Sequence, residues 1–161
     1  MKIGLYPGSF DPITRGHMGI IEKGSKLFDL LYVCILQNAS KKTMFTTEER
    51  VEMAKKACQK YENVKVVSEN TLTIEACHKY HASFILRGLR TNQDFEFEFQ
   101  ANNVNTTLDP LVETVLFMTN ISESHISSST VRELIHYHSK DYEKLVPEEV
   151  YDYIEHKKEG K

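Results

Sequence analysis

The sequence predicts one doubly wound α/β domain spanning residues 1–161, with a five-stranded parallel sheet and helices on both of its faces. Five short apolar runs rich in Ile, Val, Leu and Phe alternate with longer amphipathic stretches along almost the whole chain. Strands separated by helices in this rhythm form βαβ units with right-handed crossovers, and these units build a parallel sheet covered on both sides. No internal repeat, low-complexity tract or linker divides the chain, which favours a single domain.

The five apolar runs have the length and residue types of buried strands. They are Lys2–Tyr6, Leu31–Gln37, Val64–Val67, Ser83–Leu86 and Thr114–Met118. A sheet of this Rossmann-like kind binds its ligands in the crevice beyond the carboxyl ends of the strands. The residues that directly follow each run are therefore the first candidates for a functional site.

Helix-start signals stand between these runs. Thr14 can cap a first helix, and Thr46 with Glu49 forms a capping box before a second. A serine run at 127–129 precedes an apolar helical pattern, and Pro147 can occupy the first turn of a last helix. Two further helices are predicted over Thr73–Tyr80 and Asn92–Leu108.

One segment fits two kinds of structure. Residues Phe95–Phe99 alternate Phe with Glu at a period of two, which locally favours a strand. A helix would place the first and last Phe on one face and acidic side chains on a neighbouring one. The polar flanks and the length from Asn92 to Leu108 favour the helix.

Composition and charge exclude several classes of protein. Hydrophobic residues make up 40% and charged residues 27% of the chain, which is typical of a soluble globular protein. The formal net charge is −3, so no overall basic field is available to hold nucleic acid. There is no signal-peptide pattern and no apolar stretch long enough to span a bilayer, which predicts a cytoplasmic protein without a membrane segment.

Neither the cysteines nor the histidines form a convincing set of metal ligands. The three cysteines form no CxxC pair, and we expect small buried side chains in a reducing compartment: Cys34, Cys58 and Cys77. His78 with His81, and His136 with His138, resemble ligand pairs, but no Cys or carboxylate completes either one. We predict no protein-held metal and expect these histidines to lie solvated on helices.

The strongest candidate for a site follows the first strand. Gly8 to Pro12 reads Gly-Ser-Phe-Asp-Pro, and Thr14 to His17 then opens a helix. A helix start offers unpaired N–H groups at the positive end of its dipole, so the cluster predicts an anion site with a proton-bearing donor beside it. The helix end lowers the pKa of His17 while bound phosphates raise it, and the sequence leaves its protonation state open. No GxxxxGK[ST] or GxGxxG motif is present, which disfavours a P-loop ATPase and a dinucleotide oxidoreductase.

Cations follow two other strands. Lys41 comes after the second run, and Arg87 and Arg90 come after the fourth, so three positive charges are expected to meet in one crevice of an acidic protein. A triphosphate together with a second phosphate needs that much positive charge. Taken alone, Lys41 fits a solvated loop and the serine run a plain helix cap, but a helix start with three hydroxyls also suits phosphate oxygens.

The order of these segments resembles the nucleotidylyltransferase superfamily and, within it, bacterial phosphopantetheine adenylyltransferases. Gly-Ser-Phe-Asp-Pro followed by Thr-x-Gly-His is similar to the superfamily signature. The likeness extends along nearly the whole chain through Ser40–Lys42, Met44–Thr46, Glu48–Arg50, Arg87–Arg90, Asp94–Glu98 and Ile126–Ser129. Two places depart from the family pattern: Phe97 stands where many relatives carry Tyr, and Glu123–His125 replaces a more aromatic stretch.

The resemblance implies roles for individual residues. Catalysis would depend on His17, Lys41 and Arg90. Phosphopantetheine would be bound by Ser9, Lys41, Thr73 and Arg87. ATP would be bound by Ser9, Phe10, His17, Gly88, Leu89, Arg90, Glu98, Glu123, Ser124, His125, Ile126, Ser127, Ser128 and Ser129.

The same resemblance implies a reaction and partners. AMP would pass reversibly from ATP to 4′-phosphopantetheine, giving dephospho-CoA and pyrophosphate in coenzyme A biosynthesis. Mg²⁺ would be the cofactor, held mainly through the ATP phosphates. A homohexamer and feedback inhibition by CoA are further expectations, and neither nucleic acid nor a membrane is an expected partner.

Three other functions remain open on the sequence. Nicotinamide mononucleotide, or glycerol phosphate with CTP, is a rival substrate of the same reaction type. A non-catalytic protein that senses ATP or CoA belongs to a different class. It would bind ATP without releasing pyrophosphate, so turnover distinguishes it from the enzymes.

Overall fold

The computed structural model describes all residues 1–161, which form five strands, six α-helices and two short 3₁₀ helices. In chain order these are β1 Ile3–Gly8, α1 Arg15–Leu27, β2 Leu30–Leu36, α2 Thr47–Cys58, β3 Val64–Glu69, α3 Thr73–Lys79, β4 Phe84–Leu89, α4 Asn92–Leu108, β5 Glu113–Met118, α5 Ser128–His136 and α6 Glu148–Glu159. The 3₁₀ helices cover Ile121–Glu123 and Lys140–Lys144.

All strands pair in parallel in the order β3-β2-β1-β4-β5, which confirms the predicted doubly wound fold. From β1 the chain first winds outward through β2 and β3, and then returns to place β4 on the other side of β1. The direction of winding therefore reverses between β1 and β4. A crevice opens at such a switch point beyond the carboxyl ends of the two strands, and this is where ligands bind in folds of this class.

Successive residues of β1 point to opposite faces of the sheet and enter two separate cores. Tyr6 belongs to the larger core, which is packed by residues of α1, α2, α5 and α6. Leu5 belongs to the smaller core, which includes Ile74 and Cys77 of α3. Helices therefore cover both faces of the sheet, as the alternation of strands and helices predicted.

The predicted strand ends are wrong at the site. β1 continues to Gly8 and β4 to Leu89, because their ladders run on through the pairs Gly8–Ile35 and Leu89–Met118. The apolar pattern of a sequence indicates which residues are buried. The end of a strand depends instead on where its backbone pairing with the neighbouring strand stops, and here the pairing continues past the apolar run. Arg87 consequently lies within β4 instead of beyond it.

The predicted helix caps and the bounds of α4 are confirmed. Thr14 caps α1, Thr46 and Glu49 form their capping box, and α4 has the predicted bounds. Phe95–Phe99 is therefore helical. The four histidines expected to lie solvated on helices are all exposed, and His78 and His136 do lie on helices. The expected helical placement is wrong for His81 and His138, because α3 and α5 end before them and both have positive φ.

The cysteines are buried as expected, and the helices include no membrane span. All three cysteines are buried and unbridged, and burial raises the pKa of each thiol to about 12. No helix combines the length and the apolar character that crossing a membrane would require.

Candidate active site

A cavity of about 400 Å³ lies at the switch point, between the ends of β1 and β4 and the start of α5. Its size is that of a small-molecule site. Among the residues predicted from the sequence, it brings together Ser9, Phe10, His17, Lys41, Arg87, Gly88, Arg90, Glu98, Ile126, Ser127, Ser128 and Ser129. Phe97, one of the two departures from the family pattern, also lines it.

Five predicted residues do not line this cavity. Thr73 is the first residue of α3, and Leu89 ends β4. Glu123, Ser124 and His125 lie in the segment between β5 and α5. Glu123 lines a neighbouring cavity instead.

The loop after β1 is shaped by aromatic packing. The ring of Phe10 lies 5.1 Å from that of Tyr6 and 4.8 Å from that of His17, centroid to centroid. A Cβ atom on Gly8 would lie 3.0 Å from the Phe10 ring, so a side chain there would displace it. Phe10 itself has φ of 46°, a left-handed conformation that costs a non-glycine residue about 1–2 kcal/mol. The surrounding contacts hold this strained turn at the cavity wall.

The imidazole of His17 is part of the helix cap. Its Nδ1 lies 3.0 Å from the backbone nitrogen of Thr14, and the backbone N–H of His17 donates to Thr14 Oγ1. A backbone N–H can only donate, so Nδ1 must accept, and the neutral ring then carries its proton on Nε2. Burial and then the charges of Arg87 and Arg90 lower the pKa of His17 to about 3. Near neutral pH His17 is therefore uncharged and keeps Nε2–H as a donor.

Arg87 is fixed from both sides. Its Nε lies 2.9 Å and 3.0 Å from the two carboxylate oxygens of Glu98, and its Nη1 donates to the carbonyl of Pro7 at 2.6 Å. Glu98 is buried on α4. The Glu98 carboxylate therefore positions the Arg87 guanidinium, a contact that the sequence did not reveal.

Arg90 also lines the cavity and is held by two contacts. Its Nε contacts Asp94 at 3.2 Å, and its Nη1 donates to the carbonyl of Ile126 at 3.4 Å. Burial acts to raise the pKa of Asp94, but hydrogen bonds from Arg90 outweigh it and lower the pKa overall. Arg90 is thereby tied to the segment that leads into α5.

Lys41 differs from these arginines because no carboxylate lies within salt-bridge distance of it. Its ammonium donates to Ser9 Oγ, in the loop after β1, at 2.9 Å. The carbonyl of Ser9 in turn accepts from the buried Arg50 at 2.8 Å. Lys41 and Ser9 thus form one polar edge of the cavity.

The serine run both caps a helix and lines the cavity. Ser127 is the N-cap of α5 and accepts from the backbone nitrogen of Thr130 at 3.2 Å. Ser128 donates to the carbonyl of Pro12 at 2.8 Å, which ties the helix to the loop after β1. The plain-cap interpretation is therefore correct for Ser127, while the N-terminus of α5 also faces the cavity, where it can stabilise an anion.

Sequence reasoning missed Arg132 and Asp11 as lining residues. Arg132 Nη1 donates to the carbonyl of Asp11 at 2.8 Å, and Nη2 donates to Ser129 Oγ at 3.1 Å. The spacing from Ser129 to Arg132 places both on one side of α5, and this is the signal that could have been used. Arg132 is the fourth cation of the cavity.

The arrangement can hold several phosphate groups next to a neutral hydrogen-bond donor. The cavity contains no cysteine, and the lining carboxylates Asp11, Asp94 and Glu98 are each engaged by N–H donors or an arginine. No cluster of three or more His, Cys, Asp or Glu side chains has a geometry that would hold a metal ion. These features fit transfer between phosphates by positioning and charge stabilisation.

Comparison with known proteins gives a consistent result. A family model described as cytidylyltransferase-like matches residues 5–134. A protein of Clostridium botulinum (strain Alaska E43 / Type E3) named phosphopantetheine adenylyltransferase is 48% identical over 150 residues, covering 93% of this chain and 94% of its own. One of the same name from Lachnoclostridium phytofermentans is 43% identical over 161 residues, covering 100% and 98%. Another from Clostridium botulinum (strain Hall) is 44% identical over 165 residues, covering 99% of each.

Proposed function

The chain belongs to the cytidylyltransferase-like family and, within it, to the phosphopantetheine adenylyltransferases, and from this premise we propose how its cavity works. The enzyme transfers AMP from ATP to 4′-phosphopantetheine, and dephospho-CoA and pyrophosphate are the products. The observation that carries the proposal is the meeting of Lys41, Arg87 and Arg90 around a neutral His17 at the switch point.

The chemistry needs no covalent enzyme intermediate. An oxygen of the substrate phosphate attacks the α-phosphorus of ATP in line, the bond from that phosphorus to the bridging oxygen breaks, and its electron pair leaves with pyrophosphate. Because the attacking phosphate is already an anion, no general base has to activate it. Catalysis then rests on positioning two like-charged groups and on stabilising the charge that spreads over the transferring phosphate.

His17 is placed in this scheme as the donor to the α-phosphate. Its Nδ1 is occupied by the Thr14 N–H, so Nε2–H is the donor that remains for a ligand. A neutral donor fixed by the helix cap needs no reorganisation during the reaction, which is the condition under which such donors are most effective. Stabilisation of the α-phosphate by this one hydrogen bond is the role we assign to His17.

The cations divide into two sets. Lys41 with Ser9 forms one edge, which suits the attacking phosphate, and Arg87 anchors the same substrate. Arg90 and the start of α5 form the other edge, which suits the β and γ phosphates of ATP. Glu98 acts on substrate binding through Arg87, since its carboxylate is taken up by that guanidinium.

Mg²⁺ is proposed as the cofactor of the triphosphate. The residues fit an ion that is held by phosphate oxygens and water, because Asp11, Asp94 and Glu98 already accept hydrogen bonds from the protein. The ion would supply charge neutralisation to the polyphosphate. The protein side chains themselves orient the nucleotide and donate hydrogen bonds to it.

A homohexamer is proposed as the assembled state. Helix α4 buries only Glu98, while it and the following turn expose several large apolar side chains: Phe95, Phe97, Phe99, Val104, Leu108 and Leu111. So many exposed apolar side chains on one helix and the turn after it are typical of an interface. Light scattering in solution tests the proposal, and a monomer at micromolar concentration would refute it. We also propose a cytoplasmic location and inhibition by CoA, which contains the phosphopantetheine arm and so can compete for its site.

The experiment that tests the function is pyrophosphate release from ATP and Mg²⁺, with and without 4′-phosphopantetheine, with the product identified as dephospho-CoA. Release that depends on phosphopantetheine is the expected result. Parallel reactions with nicotinamide mononucleotide, and with glycerol phosphate plus CTP, test the rival substrates. Tight ATP binding without release on any substrate would refute the enzyme and favour the sensing protein.

A further inference from the structure

The segment between β2 and α2 carries Lys41 but has few internal hydrogen bonds. Within it, the Lys41 N–H donates to the carbonyl of Asn38 at 3.0 Å, and the Ser40 N–H donates to the Asn38 side chain at 3.0 Å. Both bonds are local, so they do not attach the segment to the sheet. The ends of the segment are held elsewhere, since the Gln37 N–H donates to the carbonyl of Glu69 at 2.8 Å and Phe45 is buried in the larger core. Its contacts with the cavity come from the loop after β1.

Asp11 makes two of these contacts. Its two carboxylate oxygens accept from the backbone nitrogens of Met44 at 2.9 Å and Phe45 at 3.0 Å. Only 2% of Asp11 is exposed, so solvent does not compete for these bonds. Two neighbouring N–H groups on one carboxylate fix both the distance and the orientation of the segment, and hydrogen bonds to a charged acceptor are stronger than neutral ones.

Asp11 also contacts α5. Arg132 of α5 donates to the Asp11 carbonyl at 2.8 Å and lies 3.7 Å from its carboxylate. Asp11 therefore connects the helix start proposed for the ATP phosphates with the segment that carries Lys41. Because the Lys41 side chain is long and exposed, the position of its ammonium depends on how firmly its backbone is held.

We propose that Asp11 is a positioning residue for the transfer: its carboxylate holds the segment between β2 and α2 against the cavity and thereby sets the position of Lys41 relative to the attacking phosphate. The proposal rests on the proposed reaction with 4′-phosphopantetheine. Displacement of a positioning group by about 1 Å can cost a large factor in rate, which is why an indirect contact matters here.

The test is a double-mutant cycle on the full-length enzyme with Asp11→Asn and Lys41→Met. Asn has nearly the size of Asp but only one side-chain acceptor oxygen. Its NH₂ group would face one of the two backbone N–H groups, so that hydrogen bond is lost. We expect Asp11→Asn to lower kcat/KM for phosphopantetheine by roughly 10- to 100-fold, with KM for ATP within about threefold of the wild type. In the Lys41→Met background the same substitution should cost less than about twofold, because there is no ammonium left to position.

Other outcomes overturn the proposal. A loss as large in the Lys41→Met background as in the wild type would mean that Asp11 does not act through Lys41. Activity of Asp11→Asn within about twofold of the wild type would refute its importance. Asp29→Asn is the matched control, since Asp29 also accepts a backbone N–H, from Lys2, at the other end of the sheet, and it should leave both constants unchanged.

Two additions separate failure of this proposal from failure of the function or of folding. If the wild type releases no pyrophosphate with phosphopantetheine, the function fails; amide hydrogen exchange then tests Asp11, since Met44 and Phe45 should exchange faster in Asp11→Asn. Unchanged exchange rates at both amides would refute the proposal that the Asp11 carboxylate holds this segment in place. If Asp11→Asn does not fold, Asp11→Glu replaces it in the cycle, because Glu keeps the charge and both acceptors but shifts them by one methylene.

Discussion

Substitutions at His17 can separate its part in the helix cap from its part in the reaction. In the capping box of α1, Nδ1 accepts from the Thr14 N–H, while Nε2–H is left for a ligand. His17→Ala removes both functions. His17→Gln keeps the first, because Gln is an ordinary partner at this capping-box position and its amide oxygen can accept from the same N–H.

The structure sets the size of the two effects. Thr14 is 1% exposed, so without Nδ1 its N–H becomes a buried donor with no acceptor, which costs about 1–3 kcal/mol of stability. Loss of a donor to the developing charge lowers kcat by roughly 10²–10³. We therefore expect His17→Ala to lose both stability and turnover, and His17→Gln to lose turnover at near wild-type stability.

The measurements are urea unfolding at pH 7.5 and kcat from pyrophosphate release at saturating substrates. The reasoning is refuted for catalysis if His17→Ala turns over within about threefold of the wild type, since a transition-state donor is worth far more. It is refuted for the cap if His17→Gln is as unstable as His17→Ala.

Three further predictions follow from other contacts. His17 is protonated below its ordinary pKa of 6.5 in the unfolded chain but only near pH 3 in the folded protein. The unfolded state therefore binds more protons between these values, and lowering the pH through this window reduces the free energy of unfolding by up to about 1.4 kcal/mol per pH unit. His17→Gln should lose less stability than the wild type between pH 6.5 and 4.5, and parallel urea curves would contradict this. Glu98→Gln should lower kcat/KM for phosphopantetheine by about tenfold by loosening Arg87, while Glu155→Gln, on α6, serves as a control that should not. The three buried cysteines should resist iodoacetamide at pH 8 until the protein is denatured, because their thiol pKa values are about 12; modification of the native protein would show that they are accessible.

The sequence was sufficient for the parts of the fold that depend on local patterns. Apolar runs gave the strands, and short-range capping chemistry gave the starts of α1 and α2, because a cap is made by residues three apart. The same local rules settled Phe95–Phe99 as helix. Strand ends were harder to predict, because the extension of β4 to Leu89 depends on its pairing with β5, a later strand of the chain.

The site was predictable where a residue follows a strand and was missed where a residue acts through a distant partner. Lys41 and Arg90 were found because the carboxyl ends of parallel strands share one edge. Glu98 was placed near ATP by resemblance alone, and its contact with Arg87 joins two elements that only the folded chain brings together. Asp11 was part of a motif, but its contacts to Met44 and Phe45 span more than thirty residues, and no local pattern reports such a contact.

The charges of the cavity explain why Lys41 has a special place among its cations. Arg87 is paired with Glu98, Arg90 with Asp94 and Arg132 with Asp11, so each arginine is held by a carboxylate before any ligand arrives. Such pairs fix the direction of each guanidinium but offset part of its positive charge. Lys41 has only a hydroxyl as its partner. Its full charge is therefore available to the phosphate that must approach another anion, and because no ion pair holds Lys41 itself, its position has to be fixed through its backbone.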